Sequence, residues 1–246
     1  MRVIFLGTNG WFDTATGNTT CILIETNKEY IILDAGNGLY KIDNYIKKKK
    51  PIYMFLSHFH LDHIIGLHIL NKFNFIQGIN IYGPKGIKKF LTTIINKPFT
   101  MPIKQLNTKI KLQELNRKIP IPVNLDFKRL LHPSLCYGYR FYLENKIISY
   151  CTDTGICKNL FMLAKNADLL ISEASYKSEE KNRSWIHLNP EEAAKVAKKS
   201  EVKKLILIHF DASIYRNLRE RKNSEVSAKR IFKNTFAAVD NIAFEI

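Results

Sequence analysis

Residues 57–63 read Ser57-His58-Phe59-His60-Leu61-Asp62-His63, directly after the apolar run Tyr53–Leu56. The run has the composition of a buried strand. Side chains along a strand repeat every two residues, so His58 and His60 leave its end aimed the same way. A helix beginning near Leu61 puts Asp62 and His63 on its first turn, on the same side of the gap. Three imidazoles and one carboxylate then face a single point. That donor set suits a borderline divalent cation, Zn²⁺ first, with Mn²⁺ or Fe²⁺ also accommodated.

Outward from this segment, short apolar runs alternate with turn signals. Val3–Leu6, Cys21–Glu25, Tyr30–Leu33 and Ile52–Leu56 read as strands, as do Ile79–Tyr82, Asp126–Leu131, Tyr137–Leu143, Lys146–Tyr150, Asp168–Ile171 and Lys204–Ile208. Helices are expected over Gly38–Lys48, Lys85–Asn96, Asn159–Lys165, Pro190–Lys199 and Asn223–Asn234. Asn189-Pro190-Glu191-Glu192 is a helix start: a capping Asn, Pro at the first position, then acids in the first turn. Residues 98–122 break the rhythm with Pro98, Pro102, Pro120 and Pro122, and with Lys104, Lys109, Lys111, Arg117 and Lys118 against one acid, Glu114. They read as a long irregular basic loop.

The chain has 246 residues, 46% of them hydrophobic, which is enough to bury a core and excludes a disordered or fibrous protein. No repeat or linker divides it, so residues 1–246 are expected to form one domain. Lys and Arg number 38 against 22 acids, a net charge of +16 that favours anionic partners such as phosphoesters, nucleic acid or acidic membrane surfaces. No signal peptide opens the chain and no apolar stretch is long enough to span a bilayer, so a cytoplasmic, membrane-free protein is expected. Cys21, Cys136, Cys151 and Cys157 form no Cys-x-x-Cys pair and are expected to be reduced core thiols.

Ser57–His63 matches the His-x-His-x-Asp-His signature of the metallo-β-lactamase fold superfamily, and further segments extend the resemblance along the chain. Leu6-Gly7-Thr8 resembles the opening of its ribonuclease Z-like, phosphodiesterase branch. Leu33-Asp34-Ala35-Gly36 resembles its Asp-x-Gly turn, and Thr152-Asp153-Thr154-Gly155 its Asp-Thr-Gly element. His132 and His209 each follow a strand, as the remaining histidine ligands do. The resemblance implies an α/β (α+β) fold, a four-layer αββα sandwich, with two divalent metal ions at one edge. His58, His60 and His132 would hold one ion and Asp62, His63 and His209 the other, with Asp153 between them. His68, five residues after His63, lies off that helical face and is left structural.

His187 stands in Trp185-Ile186-His187-Leu188-Asn189-Pro190. This resembles the branch's histidine motif before an Ala-rich helix, where the residue contacts the scissile phosphate and assists the leaving group. Glu173 resembles the acid that orients it. Asp62, His187 and Glu173 are therefore the catalytic candidates. The implied function is metal-dependent hydrolysis of a phosphodiester, RNA or a small cyclic phosphate, by a hydroxide held between two metals. The alternative on the same fold is hydrolysis of esters, lactones or thioesters. Between His132 and Asp153 there is room only for two strands and the Glu144-Asn145 turn, so the branch's protruding transfer-RNA-binding arm is absent. A homodimer is the commonest assembly for such enzymes. Lys47–Lys50 reads as a solvated helix end. Residues 216–233, with Arg216, Arg219, Arg221, Lys222, Lys229, Arg230 and Lys233, are a candidate phosphate track. Little aromatic interleaving accompanies them, so no stacking platform for single strands is expected.

Overall fold

The computed structural model describes residues 1–116, 120–178, 180 and 185–246. The first half of the chain supplies β1 (Arg2–Gly7), the two-residue β2 (Asn9–Gly10), β3 (Cys21–Glu25), β4 (Tyr30–Leu33), β5 (Ile52–Phe55), β6 (Ile79–Gly83) and β7 (Ile110–Glu114). The second half supplies β8 (Leu125–Arg129), β9 (Tyr137–Leu143), β10 (Lys146–Cys151), β11 (Leu169–Glu173), β12 (Leu205–Ile208), β13 (Phe210–Asp211), β14 (Thr235–Ala237) and β15 (Ala243–Glu245). One sheet runs β15-β1-β3-β4-β5-β6-β7, and a second runs β14-β12-β11-β10-β9-β8. Each is antiparallel on one side and parallel on the other, with β4, β5, β6 and β7 parallel in the first and β10, β11, β12 and β14 in the second. β2 and β13 pair in parallel and tie the two halves together.

Period-two alternation sorts the apolar residues into layers. On β1, Val3 and Phe5 point to the core between the sheets, while Ile4 and Leu6 point outward beneath helices. On β12, Ile206 and Ile208 face the inter-sheet core, and Leu205 and Leu207 the opposite layer. Between the sheets Phe55 stacks on Tyr82 and meets Phe141 edge-on. Helices cover both outer faces: α1 (Leu61–Ile64) and α2 (Ile87–Ile94) on the first sheet, α3 (Lys158–Ala164), α4 (Pro190–Lys199) and α5 (Leu218–Lys229) on the second. The order helix, sheet, sheet, helix is the four-layer αββα arrangement.

Several elements differ from the sequence expectation. Residues 37–44 form a 3₁₀ helix rather than an α-helix over Gly38–Lys48, and α1 is a single turn that continues as a 3₁₀ helix to Lys72. Within 98–122, Ile103–Gln105 is a 3₁₀ turn and β7 is an edge strand on β6; its Ile110 and Leu112 pack on the core on either side of exposed Lys111, an alternation too short to stand out in the sequence. Arg117 and Lys118 of that stretch lie outside the described residues. Helix α5 starts five residues earlier than expected, at a point where the Asn217 side chain accepts from the Glu220 N–H. The short β14 and β15 carry too few residues to be legible as strands. Among the described residues, no helix is long and apolar enough to cross a membrane. The four cysteines are free.

The residue that ends a strand at the site edge repeatedly has a left-handed backbone: Asp34 after β4 (φ 56°), Asp153 after β10 (φ 47°) and His209 after β12 (φ 53°). Positive φ is uncommon outside glycine, but Asp, Asn and His tolerate it best. The kink turns each side chain from the strand direction into one shared space.

Arg221 of α5 is buried and reaches the loop after β1. Its guanidinium donates to Thr8 Oγ1 at 2.7 Å, to Thr16 Oγ1 at 2.9 Å and to Asn9 Oδ1, and lies over the Phe210 ring. Lys222 and Lys229 pair with Glu225. Arg221 is thus occupied inside the fold, while Lys222 and Lys229 stay nearer the surface but are paired, which reduces the charge free to serve as a phosphate track. Arg221→Ala would strand buried hydroxyl and amide groups and should destabilise the fold by about 3 kcal/mol. Chemical denaturation would measure it; an unchanged midpoint would mean that other contacts hold the 8–20 loop.

Candidate metal centre

The site is built on a buried carboxylate. Asp34 Oδ1 accepts from the Ser57 N–H at 2.7 Å. Its Oδ2 accepts from Ser57 Oγ at 2.8 Å, from His63 Nδ1 at 2.7 Å and from the Tyr150 hydroxyl at 2.5 Å. Asp34 and Ser57 follow strands of the first sheet, and Tyr150 lies on β10 of the second. One carboxylate therefore fixes the start of the His-x-His segment, the ring of His63 and the spacing of the sheets at this edge.

Each remaining imidazole is held by one nitrogen. His58 Nδ1 donates to Ser57 Oγ at 2.9 Å, whose own proton goes to Asp34. His132 Nδ1 donates to the Ser134 carbonyl at 3.3 Å, and His60 engages Ser134 Oγ through Nε2 at 3.1 Å. His209 Nδ1 donates to Ser175 Oγ at 2.9 Å, and Ser175 passes its proton to Glu173 Oε2 at 2.7 Å. These partners set the tautomers and leave the other nitrogen of each ring facing inward.

The inward atoms converge. Donors of His58, His60, His132 and Asp153 lie within 4.8 Å of one another, as do those of Asp62, His63 and His209, and those of Asp153, His187 and His209. Asp153 Oδ1 is 3.2 Å from His63 Nε2 and 3.3 Å from His209 Nε2, and its Oδ2 is 3.7 Å from His58 Nε2. Asp153 thus sits between the two groups. His63 Nε2 and His209 Nε2 face each other at 3.0 Å, and Asp62 Oδ2 lies 3.2 Å from His209 Nε2. His58 Nε2 and His132 Nε2 are buried with no hydrogen-bond partner. Buried polar atoms are nearly always paired, so orphaned lone pairs beside ionised carboxylates fit a cation.

The electrostatics divide the donor set. Burial alone would push Asp153 up, but the imidazoles of His209, His63 and His58 outweigh it and hold the carboxyl well below the usual range. Asp62 is lowered too, burial again being overcome, here chiefly by His63 and His209. Burial and the neighbouring His63 keep His58 neutral, and burial also lowers His60 and His132. Burial opposes the charged forms of His63 and His209 as well, but Asp153 and the neighbouring carboxylates outweigh it, raising His63 well above the ordinary imidazole value and His209 above it. Ionised carboxylates and neutral imidazoles are the forms that bind metal, so a cation here would displace protons from His63 and His209.

His187 stands beside this cluster, its ring stacked 5.7 Å from that of His209. Its Nδ1 lies 3.0 Å from both oxygens of buried Glu173, which also accepts from the Thr154 and Leu188 N–H groups. Burial opposes the imidazolium, but Glu173 outweighs it and raises His187 to about 9. All the residues singled out in the sequence, His58, His60, Asp62, His63, His132, Asp153, Glu173, His187 and His209, meet at this edge, while exposed His68 bonds the Ile65 carbonyl. Sequence reasoning missed the supporting roles of Asp34, Tyr150 and Ser175. Asp34 was visible as the polar end of the buried run Tyr30–Leu33; Ser175 and Tyr150 carry no local signal.

The β-lactamase superfamily domain model matches residues 29–210. A protein named ribonuclease Z from Bacillus velezensis is 28% identical over 301 aligned positions, covering 98% of this chain and 97% of its own length. That alignment is longer than the 246 residues of this chain, so the relative carries insertions. The crystal structure of the metallo-β-lactamase fold protein YhfI from Bacillus subtilis superposes with a TM-score of 0.81 at 24% identity, covering 100% of this chain and 98% of its own. That of human short-form tRNase Z superposes with a TM-score of 0.77 at 21% identity, covering 100% and 99%. The last two likenesses speak to the fold.

The pairing of His187 with Glu173 makes stability depend on pH. The attraction stabilises the metal-free protein fully below pH 6.5 and is lost as pH rises through about 9. NMR titration of the metal-free protein should find the His187 ring near that value and, in Glu173→Gln, well below it. An unmoved titration would remove Glu173 as the cause.

Proposed function

The chain belongs to the β-lactamase superfamily, and from that membership we propose that it is a metal-dependent phosphodiesterase or nuclease. The observation that carries this reading is the His187–Glu173 pair set against a two-part donor cluster. His58, His60 and His132 would hold one divalent cation and Asp62, His63 and His209 a second, with Asp153 shared. Zn²⁺ suits these donors best, and Mn²⁺ or Fe²⁺ are alternatives. Two such cations supply a nucleophile at neutral pH and neutralise charge on a phosphoryl group.

The protein's own groups do the rest. His187, kept protonated by Glu173, donates its proton to the departing oxygen. A diester expels a poor alkoxide and needs that proton, whereas a thioester needs it far less. Asp62 remains ionised and can accept a proton from the attacking water. The net charge of +16 favours a polyanionic or phosphorylated substrate. RNA or a small cyclic phosphate is the substrate class we infer. Between His132 and Asp153 the chain forms only the β9–β10 hairpin turned at Glu144-Asn145, with no arm to grip a folded transfer RNA.

Hydrolysis of bis(p-nitrophenyl) phosphate should require Zn²⁺ or Mn²⁺, stop with EDTA and vanish in Asp153→Ala. Cleavage of p-nitrophenyl acetate or a thioester without diester cleavage would instead favour the carboxylic-ester reading. Loss of His187 as a general acid should cost about 10²–10⁴-fold in kcat on a diester with an alkoxide leaving group. His187→Ala should cost much less when p-nitrophenolate leaves, since that anion needs little protonation. Equal losses on both would contradict the proton-donor role.

A further inference from the structure

The chain has two tryptophans, and both stand exposed at the rim of the candidate metal centre: Trp11 is 66% and Trp185 56% accessible. Tryptophan is on average highly buried, so two exposed indoles at one site are not what scattered surface exposure would give. They flank different halves of the cluster. The Trp11 backbone N–H donates to Asp62 Oδ2 at 2.9 Å, and the Trp185 ring lies 6.4 Å from the His60 ring, at 89° to it. The backbone of Trp11 thus borders the group of Asp62, His63 and His209, with its indole exposed beside it, and the Trp185 ring borders the group of His58, His60 and His132.

Both are held by bonded backbone. Before Trp11, Gly10 passes so close to the His209 ring that an added Cβ would sit 2.6 Å from it. After it, Asp13 anchors the loop by accepting from the Thr19 N–H at 2.6 Å and the Asn37 side chain at 2.8 Å. Trp11 itself has a left-handed backbone (φ 71°), and the exposed Phe12 ring stands edge-on to it at 5.2 Å. The Trp185 N–H donates to the Tyr176 hydroxyl at 3.0 Å.

We propose that Trp11 and Trp185 are stacking faces for nucleobases on either side of the phosphate handled at the metal centre. The proposal deepens the phosphodiesterase reading and rests on it for the phosphate. Its ligand class is a nucleobase, carried by a nucleotide or by a single strand. No local pattern marks such faces, because the two tryptophans lie far apart in the chain and outside its basic stretches. Stacking on an aromatic face is tolerant of base identity, so little preference among bases is expected.

With two tryptophans, fluorescence can assign each face. In the Zn²⁺-loaded protein, adenosine 5′-monophosphate should quench the emission and ribose 5-phosphate should not. Trp11→Phe and Trp185→Phe each leave one reporter, and each should still be quenched. Equal response to both ligands, or none to either, would overturn the proposal. A six-residue oligoadenylate that quenches at much lower concentration than the mononucleotide identifies a strand as the source; equal concentrations identify a free nucleotide. Kinetics supply the second arm. The p-nitrophenyl ester of thymidine 5′-monophosphate should show a KM raised about tenfold in at least one of Trp11→Ala and Trp185→Ala, with kcat little changed and Phe at the same position restoring most of the loss. A KM that moves in neither variant would overturn the proposal. Base-dependent quenching without hydrolysis of any diester would leave the stacking faces standing and defeat the phosphodiesterase reading alone.

Discussion

Asp34 is the constraint on which the site depends. A buried carboxylate is expensive unless its lone pairs are satisfied, and this one accepts four hydrogen bonds, from the Ser57 N–H and Oγ, His63 Nδ1 and Tyr150. Satisfying it fixes the exit of β5, the orientation of His63 and the approach of β10 from the facing sheet. The Asp34 carboxylate thus converts the close packing of two apolar sheets into a defined placement of polar groups at their common edge.

The strand ends do the aiming. Asp34, Asp153 and His209 all hold a left-handed backbone, and each leaves a buried strand. Such conformations persist where surrounding structure over-determines them and are concentrated at functional sites. A second chain of hydrogen bonds joins the halves: His209 to Ser175, Ser175 to Glu173, and His187 to Glu173. The proposed proton donor and a proposed metal ligand therefore share one acid. A change at Glu173 reaches both.

Much of this was legible in the chain. The Ser57–His63 segment carries its chemistry in local spacing, because a strand end and a helix start need only a few residues to bring His58, His60 and His63 together. The long buried strands were legible because apolar runs such as Leu205–Ile208 face two cores. The edge strand β7 was not, since only Ile110 and Leu112 turn to the core and Lys111 and Gln113 alternate with them. The short β14 and β15 offer too few side chains to establish a period. Supporting residues stayed hidden for another reason: Ser175 and Tyr150 act through partners distant in sequence, and a lone serine or tyrosine looks the same whether it bonds a ligand or a solvent molecule. Arg221 read as surface charge, although the fold buries it against Thr8, Asn9 and Thr16.

The central claim is that the converging lone pairs form two adjacent cation sites sharing Asp153. Crystals grown with Zn²⁺ and measured on both sides of the zinc absorption edge would test it directly. The account predicts two anomalous peaks on either side of the Asp153 carboxylate, one among His58, His60 and His132 and the other among Asp62, His63 and His209. A single peak, or peaks away from these residues in a folded protein, would contradict it.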